Sequence, residues 1–399
     1  MKRKFENKRT AFIIIFLLLI FLSGLSYRLL FVNAVNFDNL HNGTAFGHDE
    51  YYYNKMAQNI VNYGVYGYMT DAEPNAYVTP GYPVFLASIY HVFGDDAVDV
   101  AKTVQAYLSA FSIILVFIIG KKLSGNAVGL IAALFVSFYP PLIFYSRFLL
   151  TETLYIFLFL VYYFALITAF KKEKKKYHFF AGLAFAATIL VRPLIFFLLP
   201  LPYIYEFFAS EKDKKGLLLK FTVFVFGFCL VMLPWWVRNL VTLNQFVLLC
   251  TQSNPFYYGI IENYSSLPQS ENEMADGLRL IWRHLIERPV ETIKWYIIGK
   301  INIIFGKQDY WEYPGYVYLK SVSLLHYFIL VTGTIGVLLS IYKKEIRLLS
   351  IYIVLTIGFQ LLFIPVGRYA VPIMPLFSIC GAYVLCYLYR NVKGAPLKS

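Results

Sequence analysis

The stretch from Gly47 to Lys55, GHDEYYYNK, sets two adjacent carboxylates, Asp49 and Glu50, beside His48 and three tyrosines, shortly after a strongly apolar segment. An ionised carboxylate held near a substrate hydroxyl can take its proton as the oxygen attacks, which is general-base chemistry. A further carboxylate, Glu152 in TETL, stands alone at the start of another apolar stretch, where an ionisable group is usually paired or functional. Four arginines fall at the ends of apolar runs: Arg147 in FYSRFLLTE, Arg192 in ILVRPLIFF, Arg238 in LPWWVRNL and Arg368 in PVGRYAVP. A planar guanidinium takes phosphate through two parallel hydrogen bonds, so such a group near hydrocarbon points to a phosphate-bearing ligand. Each arginine could instead snorkel to the interface or pair with a carboxylate. His48 has no second histidine spaced to join it on an ion, and the sequence indicates neither a divalent metal nor another cofactor.

The elements that must position these residues are membrane helices. The 399 residues are 59% hydrophobic and 15% charged, with a mean hydropathy of +0.58. About 20 apolar residues cross a bilayer as helix. About ten such stretches are expected, at 11–33, 98–120, 126–145, 149–170, 177–191, 193–209, 217–237, 322–342, 347–365 and 369–389, the fifth and sixth meeting at Arg192-Pro193. Prolines beside Arg192 and near Arg238 and Arg368 imply interrupted helix ends around a cavity, because freed backbone groups at membrane depth need protein or water.

Charge sets the expected orientation. The net charge of +13 sits in short basic clusters between apolar runs rather than on one nucleic-acid-binding face. With the N-terminus inside, Lys121-Lys122, KKEKKK at 171–176, EKDKK at 211–215, KKEIR at 343–347 and the tail from Arg390 all fall in the cytoplasm. Both termini are then cytoplasmic, and the opening KRKFENKR with its apolar segment reads as a retained helix, since no small-residue cleavage site follows. Two long segments, 34–97 and 238–321, fall outside. Within them GYPVFLASIYHVFG and VETIKWYIIGKINIIFG are too short or too charged to span, and are expected at the membrane surface or packed on the bundle. Cys229, Cys250, Cys380 and Cys386 lack metal-type spacing and read as small core residues.

Taken in order, the Asp-Glu pair after the first span, TPGYPVFLASIYHVFG, SRFLLTETLYIF, LVRP, LPWWVRN and GRYAVPIMPLFSI resemble the membrane-embedded GT-C glycosyltransferases. The nearest groups are bacterial relatives of the dolichyl-phosphate-mannose protein mannosyltransferases and of the lipid A aminoarabinose transferase. The resemblance runs from about residue 11 to 390. It implies a single all-α polytopic domain, a GT-C bundle with juxtamembrane helices on the outer face. It implies inverting transfer of a sugar from a polyprenyl-phosphate donor to a lipid, glycan or protein acceptor outside the cytoplasmic membrane. In that resemblance Asp49 is the first-loop acid, Glu50 completes the pair, Glu152 matches the acid after the third span, and the arginines hold the donor phosphate. Residues 238–321 would choose the acceptor. Some relatives carry a basic residue where Thr79 precedes Pro80, which shifts phosphate binding onto the arginines. Two other classes remain open: a polymerase or ligase using lipid-diphosphate oligosaccharides, and a lipid or solute transporter. A transporter would be expected to show an internal repeat and ionisable groups near the bilayer midplane.

Overall fold

The structure, a computed structural model, describes residues 2–34, 45–68, 73–94, 97–209, 214–262, 267–306 and 323–393. Residues 2–7, 34, 45–48 and 323 are described by backbone alone, so the side chain of His48 lies outside it. The described residues form helices and turns with no strand. After α1 (Lys2–Ala34) the first long segment holds α2 (Ala45–Tyr63) and α3 (Gly81–Phe93). The bundle continues through α4 (Val98–Ser124), α5 (Asn126–Phe138), α6 (Pro140–Tyr145), α7 (Thr151–Lys172), α8 (Lys175–Val191), α9 (Leu201–Ala209) and α10 (Lys214–Leu243). The second long segment holds α11 (Asn254–Tyr258), α12 (Glu273–Glu287), α13 (Pro289–Lys294) and α14 (Lys300–Phe305), followed by α15 (Ser323–Leu339), α16 (Lys344–Gln360) and α17 (Met374–Val392).

Each of the ten expected stretches holds helix among the described residues. Among the described residues five elements are long and apolar enough to cross a bilayer alone: α1, α4, α7, α10 and the stretch Gly367–Val392. Between α15 and α16 the axis bends by 117°. The others are shorter or broken, in two places at proline. Pro140 and Pro141 split the expected 126–145 helix into α5 and α6, because proline cannot donate to the preceding turn and pushes the residue before it to extended backbone. The missing N–H groups would have served the carbonyls of Val136 and Ser137. Arg28 of α1 serves them instead, donating through Nη2 to Val136 O at 3.1 Å and through Nη1 to Ser137 O at 3.0 Å. Its Nε reaches Ser109 Oγ at 2.7 Å, so a fully buried guanidinium fastens the otherwise exposed α1 to α4 and α5.

Close helix crossings hold the rest. A Cβ on Gly182 of α8 would stand 2.0 Å from Phe224 O of α10, and one on Gly227 of α10 would stand 2.5 Å from Phe179 O of α8. Small residues at such crossings let helix backbones approach, where dispersion rather than the hydrophobic effect drives association in lipid.

The apolar GYPVFLASIYHVFG segment is α3, packed on the bundle. Gly81 permits it, since a Cβ there would stand 2.6 Å from the backbone of Leu190. The second segment forms α13, a π-turn at Trp295–Gly299 and α14, leaving Val290, Ile293 and Ile297 exposed as a surface-lying element would.

Candidate active site

Several helix ends meet at one level of the bundle. α8 stops at Val191 because Arg192 precedes Pro193 and is extended, at φ −146° and ψ 122°. The orphaned carbonyl of Val191 accepts from Thr79 Oγ1 at 3.3 Å. Glu152 lies in the first turn of α7, where a carboxylate suits the positive end of the helix dipole. Arg368 sits on the 3-10 turn Gly367–Ile373 that leads into α17.

These ends surround a cavity of about 260 Å3 whose wall includes Asp49, Tyr53, Tyr68, Arg192, Arg368 and Tyr369. Asp49 Oδ2 accepts a hydrogen bond from Arg368 Nη2. Arg192 Nη1 donates to Glu152 Oε1 at 3.1 Å, and Arg368 Nε stands 3.8 Å from the same oxygen. Glu152 is only 1% exposed, and its Oε2 has no hydrogen-bond partner among the described residues. Tyr369 lies against both guanidiniums, its ring centroid 5.2 Å from Arg192 Cζ and 5.6 Å from Arg368 Cζ. The result is two carboxylates and two guanidiniums, linked through shared contacts around one cavity. Burial, and then the charge of Asp49, push the Tyr53 and Tyr68 phenols well above their ordinary range, so both remain hydrogen-bond donors. Among the described residues no three of His, Cys, Asp and Glu gather as metal ligands would.

Three of the residues picked out by sequence lie elsewhere. Glu50 is one helical step from Asp49, about 100° round α2 at 3.6 residues per turn, and turns away from the cavity. It is buried, accepts from Leu149 N at 3.0 Å and stands 3.9 Å from Lys102 Nζ. Arg147 donates to Phe31 O at 3.3 Å and Val32 O at 3.4 Å, capping the end of α1. Arg238 donates to Tyr66 O at 2.6 Å and Asn75 O at 2.9 Å, bracing the loop that carries Tyr68 from behind the wall. Cys250, expected in the core, lines the cavity, whereas Cys380 and Cys386 are buried.

Residues 77–237 match the family model described as dolichyl-phosphate-mannose-protein mannosyltransferase. No curated protein sequence matches. Among solved structures the chain is similar over 97% of its length to ArnT from Cupriavidus metallidurans bound to undecaprenyl phosphate, with a TM-score of 0.55, 12% identity and 62% of that chain covered. It is similar over 95% of its length to the Archaeoglobus fulgidus oligosaccharyltransferase in its apo form, with a TM-score of 0.57, 13% identity and 52% of that chain covered. The oligosaccharyltransferase AglB from the same organism, in complex with an inhibitory peptide and a dolichol-phosphate, gives a TM-score of 0.57, 15% identity and 51% of that chain covered. The chain has the GT-C fold. It spans 51% to 62% of the length of these GT-C structures.

Within this GT-C bundle, sequence reasoning missed part of the wall. Tyr53 belongs to the three tyrosines read as packing or sugar-stacking groups, and its place on the wall follows because it is four residues after Asp49 and an i, i+4 pair shares a helix face. Tyr369 follows Arg368 directly in GRYAVP. Gln252 and Asn254 had none, because an extended stretch brings them in: Thr251 N donates to Ala76 O at 2.9 Å and Gln252 N to Tyr77 O at 3.1 Å.

Proposed function

We propose that the protein is an inverting glycosyltransferase that moves one sugar from a polyprenyl-phosphate donor to an acceptor hydroxyl at the outer face of the cytoplasmic membrane. The observation that carries this reading is Asp49 set against Arg368 on a cavity that Arg192 also lines. Asp49 takes the proton of the acceptor hydroxyl as its oxygen bonds to the anomeric carbon. The bond from that carbon to the phosphate oxygen breaks, and its electron pair leaves with polyprenyl phosphate. Arg192 and Arg368 hold the charge that develops on the leaving group. Attack from the side opposite the leaving group inverts the anomeric centre. Glu152, held by both arginines, positions them rather than touching the acceptor.

The orientation is supported by charge. In α7 the cavity residue Thr151 and the basic pair Lys171-Lys172 lie at opposite ends, about 30 Å apart at 1.5 Å per residue. α8, α10 and α16 likewise begin in lysines at the end remote from the cavity. Basic loops favour the cytoplasm, so the cavity belongs outside. Its volume supports single-residue transfer, being just under the roughly 300–1,000 Å3 of pockets that enclose drug-sized ligands. The related ArnT was solved with undecaprenyl phosphate and the oligosaccharyltransferase with a dolichol-phosphate, which supports a lipid-phosphate donor here.

The test is donor consumption by the purified protein in detergent. Release of polyprenyl phosphate from a polyprenyl-phosphate hexose, dependent on an added acceptor, is expected. Consumption only of lipid-diphosphate oligosaccharides would replace this reading with a ligase. Mass analysis of surface glycans and lipids after deletion in the native host would identify the acceptor.

A further inference from the structure

One part of the cavity wall has no task in the proton and phosphate steps. Residues 250–258 are fixed there by backbone contacts at both ends. Besides the pairing of Thr251 and Gln252 with Ala76 and Tyr77, Pro255 O accepts from Ile364 N at 2.7 Å. A Cβ on Gly259 would stand 2.4 Å from the carbonyl carbon of Phe363, so the two backbones touch. From the far side Trp295 Nε1 donates to Gly259 O at 3.2 Å. Side chains on this stretch are therefore held in place.

Two of them are carboxamides. Gln252 is engaged, hydrogen-bonded to the Tyr77 side chain. Ser253 before α11 spends its hydroxyl on Glu273 Oε2 at 2.9 Å. Asn254 is different. It lines the cavity, and its Oδ1 is shut off from solvent without a hydrogen-bond partner among the described residues. A buried acceptor without a donor is unfavourable unless something else supplies one. The opening beside it is large enough for a sugar ring and already presents the Tyr53 and Tyr68 phenols.

We infer that Asn254 is a specificity-determining residue whose carboxamide, turning about its broad terminal torsion so that Oδ1 enters the cavity, accepts a hydrogen bond from one hydroxyl of the transferred sugar. This rests on the donor reading above. A site built to bond a hydroxyl rejects the analogue lacking it, because its own polar group is then left unpaired.

The test measures binding to the full-length purified protein in detergent, with a short-chain polyprenyl phosphate and the same lipid carrying a hexose. Wild type is expected to bind the hexosyl lipid more tightly than the bare phosphate. Asn254→Ala should weaken the hexosyl lipid by about tenfold and leave the bare phosphate unchanged, which also shows that the variant is folded. Arg368→Ala should weaken both. Asn254→Ala acting on neither lipid, or on both equally, overturns the assignment while leaving the donor reading intact. Failure of wild type to bind either lipid would bring down both. A set of deoxyhexosyl lipids then identifies the hydroxyl, as the one whose loss wild type feels and Asn254→Ala does not.

Discussion

Arg368, on the turn that leads into the last helix, is hydrogen-bonded to Asp49 of α2 across 319 positions of the chain. The proposed base and one of the proposed phosphate ligands thus hold each other before any ligand arrives. Asp49→Asn should lower turnover about a hundredfold to ten-thousandfold, the usual worth of a positioned base. The same change frees Arg368 of one of its two counter-charges, leaving Glu152, so affinity for polyprenyl phosphate should hold or rise. Turnover and lipid binding measured on one preparation check this, and a variant that loses lipid binding in step with rate would make Asp49 structural.

The arginines should separate into two groups. Arg192→Ala and Arg368→Ala each remove a charged donor on the cavity, and polyprenyl phosphate should bind about tenfold to a hundredfold more weakly. Arg147→Ala instead uncaps α1, where it serves Phe31 O and Val32 O. It should leave lipid affinity alone and lower stability by about 1–3 kcal/mol. Equal losses of affinity in all three variants would refute the grouping.

Glu152 holds Arg192 at 3.1 Å and is almost wholly buried. Glu152→Ala leaves two guanidiniums without their shared carboxylate and should destabilise by about 3–5 kcal/mol, as removal of one partner from a buried pair does. Glu50→Gln, which keeps an acceptor for Leu149 N, should lose little stability and little activity. Thermal unfolding in detergent compares them, and greater loss in Glu50→Gln would reverse the order.

Lys300 supplies a pH dependence. It is fully buried and donates to Leu361 O at 2.6 Å and Phe363 O at 3.0 Å, clasping the backbone just before Ile364 on the cavity wall. Burial lowers its ammonium from 10.5 to about 7. Between those values the unfolded chain binds more protons than the folded one, so this group makes stability rise with pH from about 7 towards 10.5. Lys300→Met should abolish that part of the slope, which unfolding midpoints across the range would reveal. A slope identical to wild type would rule Lys300 out as its source.

Much of the bundle could be read directly. The apolar stretches became helices close to their expected limits, and Arg192-Pro193 became the end of α8. Pro140-Pro141 broke a stretch read as one span, and no local pattern hinted that Arg28, 108 and 109 positions from its acceptors, would serve the freed carbonyls. Of seven candidate side chains, Asp49, Glu152, Arg192 and Arg368 meet at one site, while Glu50, Arg147 and Arg238 brace its surroundings.

Hydrophobic length, proline breaks and the placement of lysines depend on residues near one another in the chain, so the sequence alone determined a polytopic helical bundle and its charge asymmetry. Which acid faces the cavity depends on how α2 is rotated against its neighbours. Which carbonyls each arginine meets depends on where distant helix ends come to rest. Those are consequences of side-chain packing between elements far apart in sequence, and only the tertiary structure decided them.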